Sequence, residues 1–98
     1  MNDFEWNNDT LEVQDDGYVS GSAYVVRNDG YSVDVTVTSY EYNDGEDMNH
    51  VPSVIVSDEH GSIVREAEVH DSSNPERAID RAKNTGQNLF ENLDNFVE

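Results

Sequence analysis

The chain has 98 residues, with 22 Asp or Glu against 5 Lys or Arg, for a formal net charge of -17 at pH 7. It contains no cysteine, which excludes a disulfide framework and a thiolate metal centre. Its length predicts one domain over residues 1–98 with a modest core, and its charge opposes direct contact with nucleic acid or anionic membranes.

The opening Met-Asn-Asp-Phe-Glu-Trp is acidic and lacks the apolar run of a signal peptide. No stretch approaches the ~20 apolar residues of a membrane span. A cytoplasmic location is the expectation. Residues 1–10 read as a mobile, weakly strand-like lead. Leu11 and Val13 alternate with Glu12, and Asp15-Asp16-Gly17 signals a turn. Tyr18 to Arg27 reads as one strand, with Gly21 marking a bulge or a close backbone approach. Asn28-Asp29-Gly30 is a tight-turn signal, since these residues tolerate positive φ.

Val33, Val35 and Val37 alternate with Asp34, Thr36 and Thr38, the period of a strand with one buried face. Tyr40 and Tyr42 fall on the opposite parity, which predicts a bulge near Ser39 or a twist that uses both faces. Residues 43–52 read as an acidic loop closed by Pro52, and Val54 to Val56 as a short strand. After a turn at Glu59-His60-Gly61-Ser62, residues 63–69 pair back, with Ala67 and Val69 on one face and Glu66 and Glu68 on the other.

From Asn74 to Val97, Ala78, Ile79, Ala82, Gly86, Leu89, Phe90, Leu93, Phe96 and Val97 recur at helical spacing. Ser73 or Asn74 is placed to cap this helix and Pro75 suits its first turn. Gly86 lies on the apolar stripe, either to let the helix approach the sheet or to break it in two; one kinked helix is preferred. The expected fold is therefore α+β: an antiparallel four- to five-stranded meander with a C-terminal helix (74–97) packed on one face.

Catalytic machinery is not evident. His50, His60 and His70 are spaced ten apart, which matches no metal-ligand pattern, and they read as exposed residues of a loop, a turn and a strand end. There is no phosphate-binding Gly-rich loop and no nucleophile elbow. The acidic loops do not match an EF-hand: the liganding positions before Gly45 are Tyr40 and Tyr42, and those before Gly17 are Glu12 and Gln14. An irregular cation site at Asp44, Glu46 and Asp47 is left open beside the reading of a solvated loop. No enzyme, cofactor or metal is expected.

The charge is lopsided. Residues 1–60 hold fourteen acids and one base, Arg27, whereas residues 61–98 hold eight acids and four bases. Between Asn28 and Val64 there is no Lys or Arg at all. Excess like charge costs stability through self-repulsion, and an array of carboxylates on strands and turns presents regular single charges, as a DNA backbone does. The candidate partner-binding residues on this basis are Asp15, Asp16, Asp29, Asp34, Glu41, Asp44, Glu46, Asp47, Asp58 and Glu59.

The size, the absence of cysteine, the sheet-plus-helix layout and base-free stretches such as YSVDVTVTSYEYNDGED resemble the small acidic phage proteins that imitate DNA, among them a Bacillus-phage inhibitor of the nucleoid protein HU. That resemblance covers the whole chain but contains no diagnostic motif. It implies a partner that is a basic host DNA-binding protein, HU-like, whose DNA-binding surface is occupied so that DNA is excluded, in the host cytoplasm beside the nucleoid. RNA polymerase, a nuclease or a repair glycosylase would suit the same charge pattern. A salt-adapted or calcium-binding accessory domain is the alternative from another class.

Overall fold

The computed structural model describes residues 4–95. Its spine is a long hairpin of two eleven-residue strands, β5 (Ser32–Tyr42) and β6 (Asp47–Ser57), paired in unbroken antiparallel register from Ser32↔Ser57 to Tyr42↔Asp47. On one side β5 pairs with β4 (Ala23–Val26), which pairs in turn with the two-residue β1 (Asn8–Asp9); on the other side β6 pairs with β7 (Ile63–Ala67). The main sheet thus has the order β1-β4-β5-β6-β7 and is antiparallel throughout. A second, two-stranded sheet joins β2 (Glu12–Val13) to β3 (Val19–Ser20).

Alternation decides which sheet face is covered. Val33, Val35 and Val37 of β5, Val54 and Val56 of β6, and Ala23 and Val25 of β4 all point to one face and are buried there. Helix α1 (Pro75–Glu91) closes that face with Ala78, Ala82 and Leu89, and Leu93 follows from a 3-10 turn at Leu93–Asn95. Fully burying a side chain such as Val or Leu contributes roughly 1.5–3 kcal/mol, so this apolar layer is what holds helix to sheet.

The helix starts where the sequence signals it. Asn74 Oδ1 accepts the Arg77 backbone N–H at 3.1 Å, and Pro75 occupies the first turn. It runs without a break through Gly86, whose missing side chain permits close packing: a Cβ there would lie 2.8 Å from Val35 Cγ2 and 2.9 Å from Trp6 Cη2. The α-helix ends at Glu91 rather than Val97. Asn92 turns the chain, its Nδ2 donating to the Asn88 carbonyl at 2.7 Å. Phe96 and Val97, counted in the helical stripe, lie outside the described residues.

Three sequence expectations change. The acidic loop 43–52 is only a four-residue turn, Asn43 to Glu46, because β6 already begins at Asp47. Pro52 sits inside that strand opposite Val37. Both the N–H and the carbonyl of His50 bond Ser72, so the N–H that Pro52 lacks two residues later would face the same side. There the chain has left the ladder between the Val54↔Ala67 pair and the His50↔Ser72 bridge, so no bond is lost.

The described part of the N-terminal stretch is tied down rather than loose. Phe4 packs edge-on against Trp6 at 4.9 Å and against Phe90 at 5.6 Å, Asn7 N–H donates to the Tyr24 carbonyl at 2.9 Å, and Lys83 pairs with Asp9. The segment Tyr18 to Arg27 is two strands, not one. Gly21, at φ +85°, divides them where a Cβ would fall 2.1 Å from the Thr10 carbonyl oxygen, a close backbone approach of the kind its position suggested.

Candidate functional site

Acids in this chain serve two different purposes, and the turns show the first. The hairpin loops at Gln14–Tyr18, Arg27–Tyr31 and Asp58–Ser62 share one hydrogen-bond pattern. The first N–H donates to the fifth carbonyl and the fourth residue, a Gly at positive φ, donates back to the first carbonyl. This is a turn closed by a left-handed Gly, a common short hairpin connection. Three carboxylates help to build these loops. Asp16 Oδ1 accepts the Tyr18 N–H at 3.1 Å, Asp29 Oδ1 accepts the Tyr31 N–H at 3.2 Å, and Asp58 Oδ1 accepts the N–H groups of His60 and Ser62, each at 2.9 Å.

Asp29 is also neutralised. The Arg27 guanidinium grips it, with Nη2 at 2.7 Å from Oδ2, and reaches Asp94 through Nη1 at 2.8 Å. Its hydrogen bonds to Arg27 hold the Asp29 carboxyl below the usual carboxylate range, against partial desolvation. Arg27 is the one base of residues 1–60, and it is consumed at this end of the sheet.

Toward the opposite end, Arg81 donates to the Asp71 carbonyl, and Asp71 accepts from Asn49 of β6, while the described ion pairs include none of the tip acids. The turn Asn43-Asp44-Gly45-Glu46 has three successive residues at positive φ (54°, 57° and 85°) and projects Asp44 and Glu46 beyond the sheet. Asn43 Nδ2 donates to Asp47 Oδ2 at 2.7 Å. The Asp15-Asp16 turn lies beside this tip, since Gly17 comes close to the Met48 sulfur. Glu41, opposite Met48, approaches the Tyr18 hydroxyl, whose phenol is raised by burial and then by that carboxylate. Asp15, Asp44 and Glu46 have no hydrogen bond or ion pair with any described side chain.

The ten candidate residues therefore divide. Asp15, Asp16, Glu41, Asp44, Glu46 and Asp47 gather at one end of the long hairpin. Asp29, Asp58 and Glu59 gather at the other, where Glu59 packs against Gly30. Ten steps along β5 separate the ends by about 33 Å at ~3.3 Å per residue, in a body with extents of 47 × 23 × 21 Å. Asp34 belongs to neither group. It stands in the middle of the uncovered sheet face, and Glu66 is on the same face two strands away.

That uncovered face is not the carboxylate array the alternation suggested. Tyr24, Val26, Tyr40, Tyr42, Val51 and Val64 are exposed large apolar side chains. Tyr40 and Tyr42 lie on it without any bulge near Ser39: β5 keeps regular register to its end, and their even parity matches Asp34 rather than the buried valines. The irregularity in pairing falls instead between Val56 and Ser57. The shared parity of Tyr40, Tyr42 and Asp34 was the sequence signal for this surface.

His50 is a second correction. Far from being exposed, it is buried at 1% and its Nδ1 lies 2.7 Å from Ser39 Oγ, which itself accepts the Val19 N–H at 3.0 Å. It joins β5, β6 and β3 in the interior. Among the described residues no three His, Asp or Glu side chains converge as metal ligands, so Asp44, Glu46 and Asp47 form no ready cation site. Among the same residues no helix is long and apolar enough to cross a membrane. No protein-family model, no curated protein and no solved structure matches this chain.

Proposed function

We propose that the protein is a non-enzymatic DNA mimic that covers the DNA-binding surface of a basic host protein, HU-like, and keeps DNA away from it in the host cytoplasm. One observation carries this reading. The β5–β6 tip and the β2–β3 turn beside it set Asp15, Asp44 and Glu46 outward with no hydrogen bond or ion pair to any described side chain, about 33 Å along the hairpin from a second acidic group. One turn of B-DNA spans roughly 34–36 Å, so the two acidic ends are spaced like backbone passages one turn apart. Proteins that grip DNA chiefly by its backbone and shape are the appropriate targets. Carboxylates fixed on turns are already ordered, which reduces the cost of binding.

The test is competition. Titrating the protein into an HU–DNA complex at low salt should release DNA, and release should weaken as salt screens the charges. RNA polymerase and nuclease complexes with DNA serve as parallel targets. Failure to release DNA from all of them at low salt would sink the proposal.

A further inference from the structure

One transverse row of the sheet is unusual. Asn8, Tyr24, Asp34, Ile55 and Glu66 stand opposite one another on five successive strands, all on the face that the helix leaves uncovered. Asp34 lies at the centre of the row, between the Tyr24 ring on β4 and Ile55 on β6. Side chains directly opposite on antiparallel strands sit about 4.5–5.5 Å apart at Cβ, so the carboxylate is walled by an aromatic and a branched aliphatic group.

Aspartate is disfavoured within strands, and this one has no hydrogen bond or ion pair among the described residues. Desolvation by its neighbours raises its carboxyl above the ordinary value. The side chain is nonetheless exposed, and no described group pairs with it. The face also carries no described base: Arg65 of β7 has the parity of Ala67, on the covered side.

Resting on the reading of this surface as one that takes a basic protein, we propose that the uncovered sheet face is the centre of that contact and that Asp34, beside Tyr24, receives the guanidinium of a partner arginine. Arginine fits better than lysine for two reasons. Its planar fork matches a carboxylate with two parallel hydrogen bonds, and its face stacks on an aromatic ring. Tyrosine and arginine are enriched in interface centres, where a few desolvated contacts dominate affinity. Charge selects the occupant. A second copy of this chain would bring another -17 and set Asp34 and Glu66 against like charges, whereas a basic surface is complementary to both the row and the acidic ends.

Binding of fluorescent deca-arginine and deca-lysine to the full chain, measured at low salt and at about 0.15 M salt, tests this. The wild type should prefer deca-arginine. Asp34→Asn should lose about tenfold in arginine affinity and most of the preference, and Tyr24→Leu should reduce the preference. The tip variant Asp44→Asn/Glu46→Gln should instead weaken both peptides alike. Asp34→Asn should also unfold at higher temperature than the wild type at neutral pH, because an exposed but partly desolvated negative charge is removed from a strongly anionic chain; lower binding with higher stability is not what a structural role produces. Equal affinities for the two peptides, or an Asp34→Asn protein that binds deca-arginine like the wild type, overturns the inference while leaving an anionic binding surface intact. No binding of either peptide at low salt overturns both.

Discussion

Ser39 Oγ stands 2.7 Å from His50 Nδ1, and the same oxygen accepts the Val19 N–H at 3.0 Å. The pair fastens the small β2–β3 hairpin to the β5–β6 spine. Burial disfavours the charged imidazole and lowers its pKa from the ordinary 6.5. In the unfolded chain His50 takes up a proton as pH falls through about 6.5, while the folded chain holds it neutral to lower pH. Over that window the unfolded state binds more protons, so stability present above 6.5 declines as pH drops, by at most ~1.4 kcal/mol per pH unit for one group. Chemical denaturation across this range should show the slope, and His50→Gln should flatten it.

Gly86 is the contact point of helix and sheet. Alanine there would gain about 1 kcal/mol of helix propensity, but its Cβ would press on Val35 and Trp6 at under 3 Å, and overpacking costs roughly 1–3 kcal/mol. The β-branched Val35 has little room to give. Gly86→Ala should lower the urea midpoint, and the environment of Trp6 should change with it, visible in tryptophan fluorescence. A midpoint equal to or above that of the wild type would mean the sheet yields at this point.

Asp29 is already held by Arg27, so its charge is spent inside the protein. The double replacement Arg27→Gln/Asp29→Asn leaves net charge unchanged and should leave the affinity for a basic partner within about twofold. Asp44→Asn/Glu46→Gln should weaken binding and reduce its dependence on salt. The comparison is best made with the same competition assay at three or more salt concentrations.

Self-repulsion among carboxylates makes added salt stabilising, because screening acts over about 10 Å at 0.1 M. Thermal unfolding followed at Trp6 should therefore move upward with salt. A chain that is folded at low salt favours the binding reading, since a salt-adapted domain would need molar salt to fold.

Much of the architecture is legible in the local sequence. The valine alternation of residues 33–37, the Gly-closed turns at 17, 30 and 61, and the Asn74-Pro75 helix start each depend on neighbours in the chain, so periodicity and turn chemistry suffice to find them. Strand β6 was harder. Its first half, Asp47 to Pro52, has the composition of a loop, and it is extended only because β5 lies beside it for eleven residues. Long-range pairing overrides weak local preference.

The candidate surface divides in the same manner. Charge count and the base-free stretch identify an anionic protein, and turn signals in the sequence place Asp15, Asp16, Asp29, Asp44, Glu46 and Glu59 on turns, whereas Asp34, Glu41 and Asp47 lie on strands. Which acids are free is only partly local: Arg27 holds its near neighbour Asp29 within one turn and reaches Asp94 across the fold, while Asp44 and Glu46 make no hydrogen bond or ion pair with any described side chain. The same holds for His50, polar in a polar segment yet buried because Ser39, Ser72 and Val19 converge around it. Sequence by itself determined the sheet-plus-helix plan and the sign of the surface. Only the tertiary structure decided which face stays open and which distant pairs, Arg27 with Asp94 and Lys83 with Asp9, cancel charge, because both depend on groups brought together from far apart in the chain.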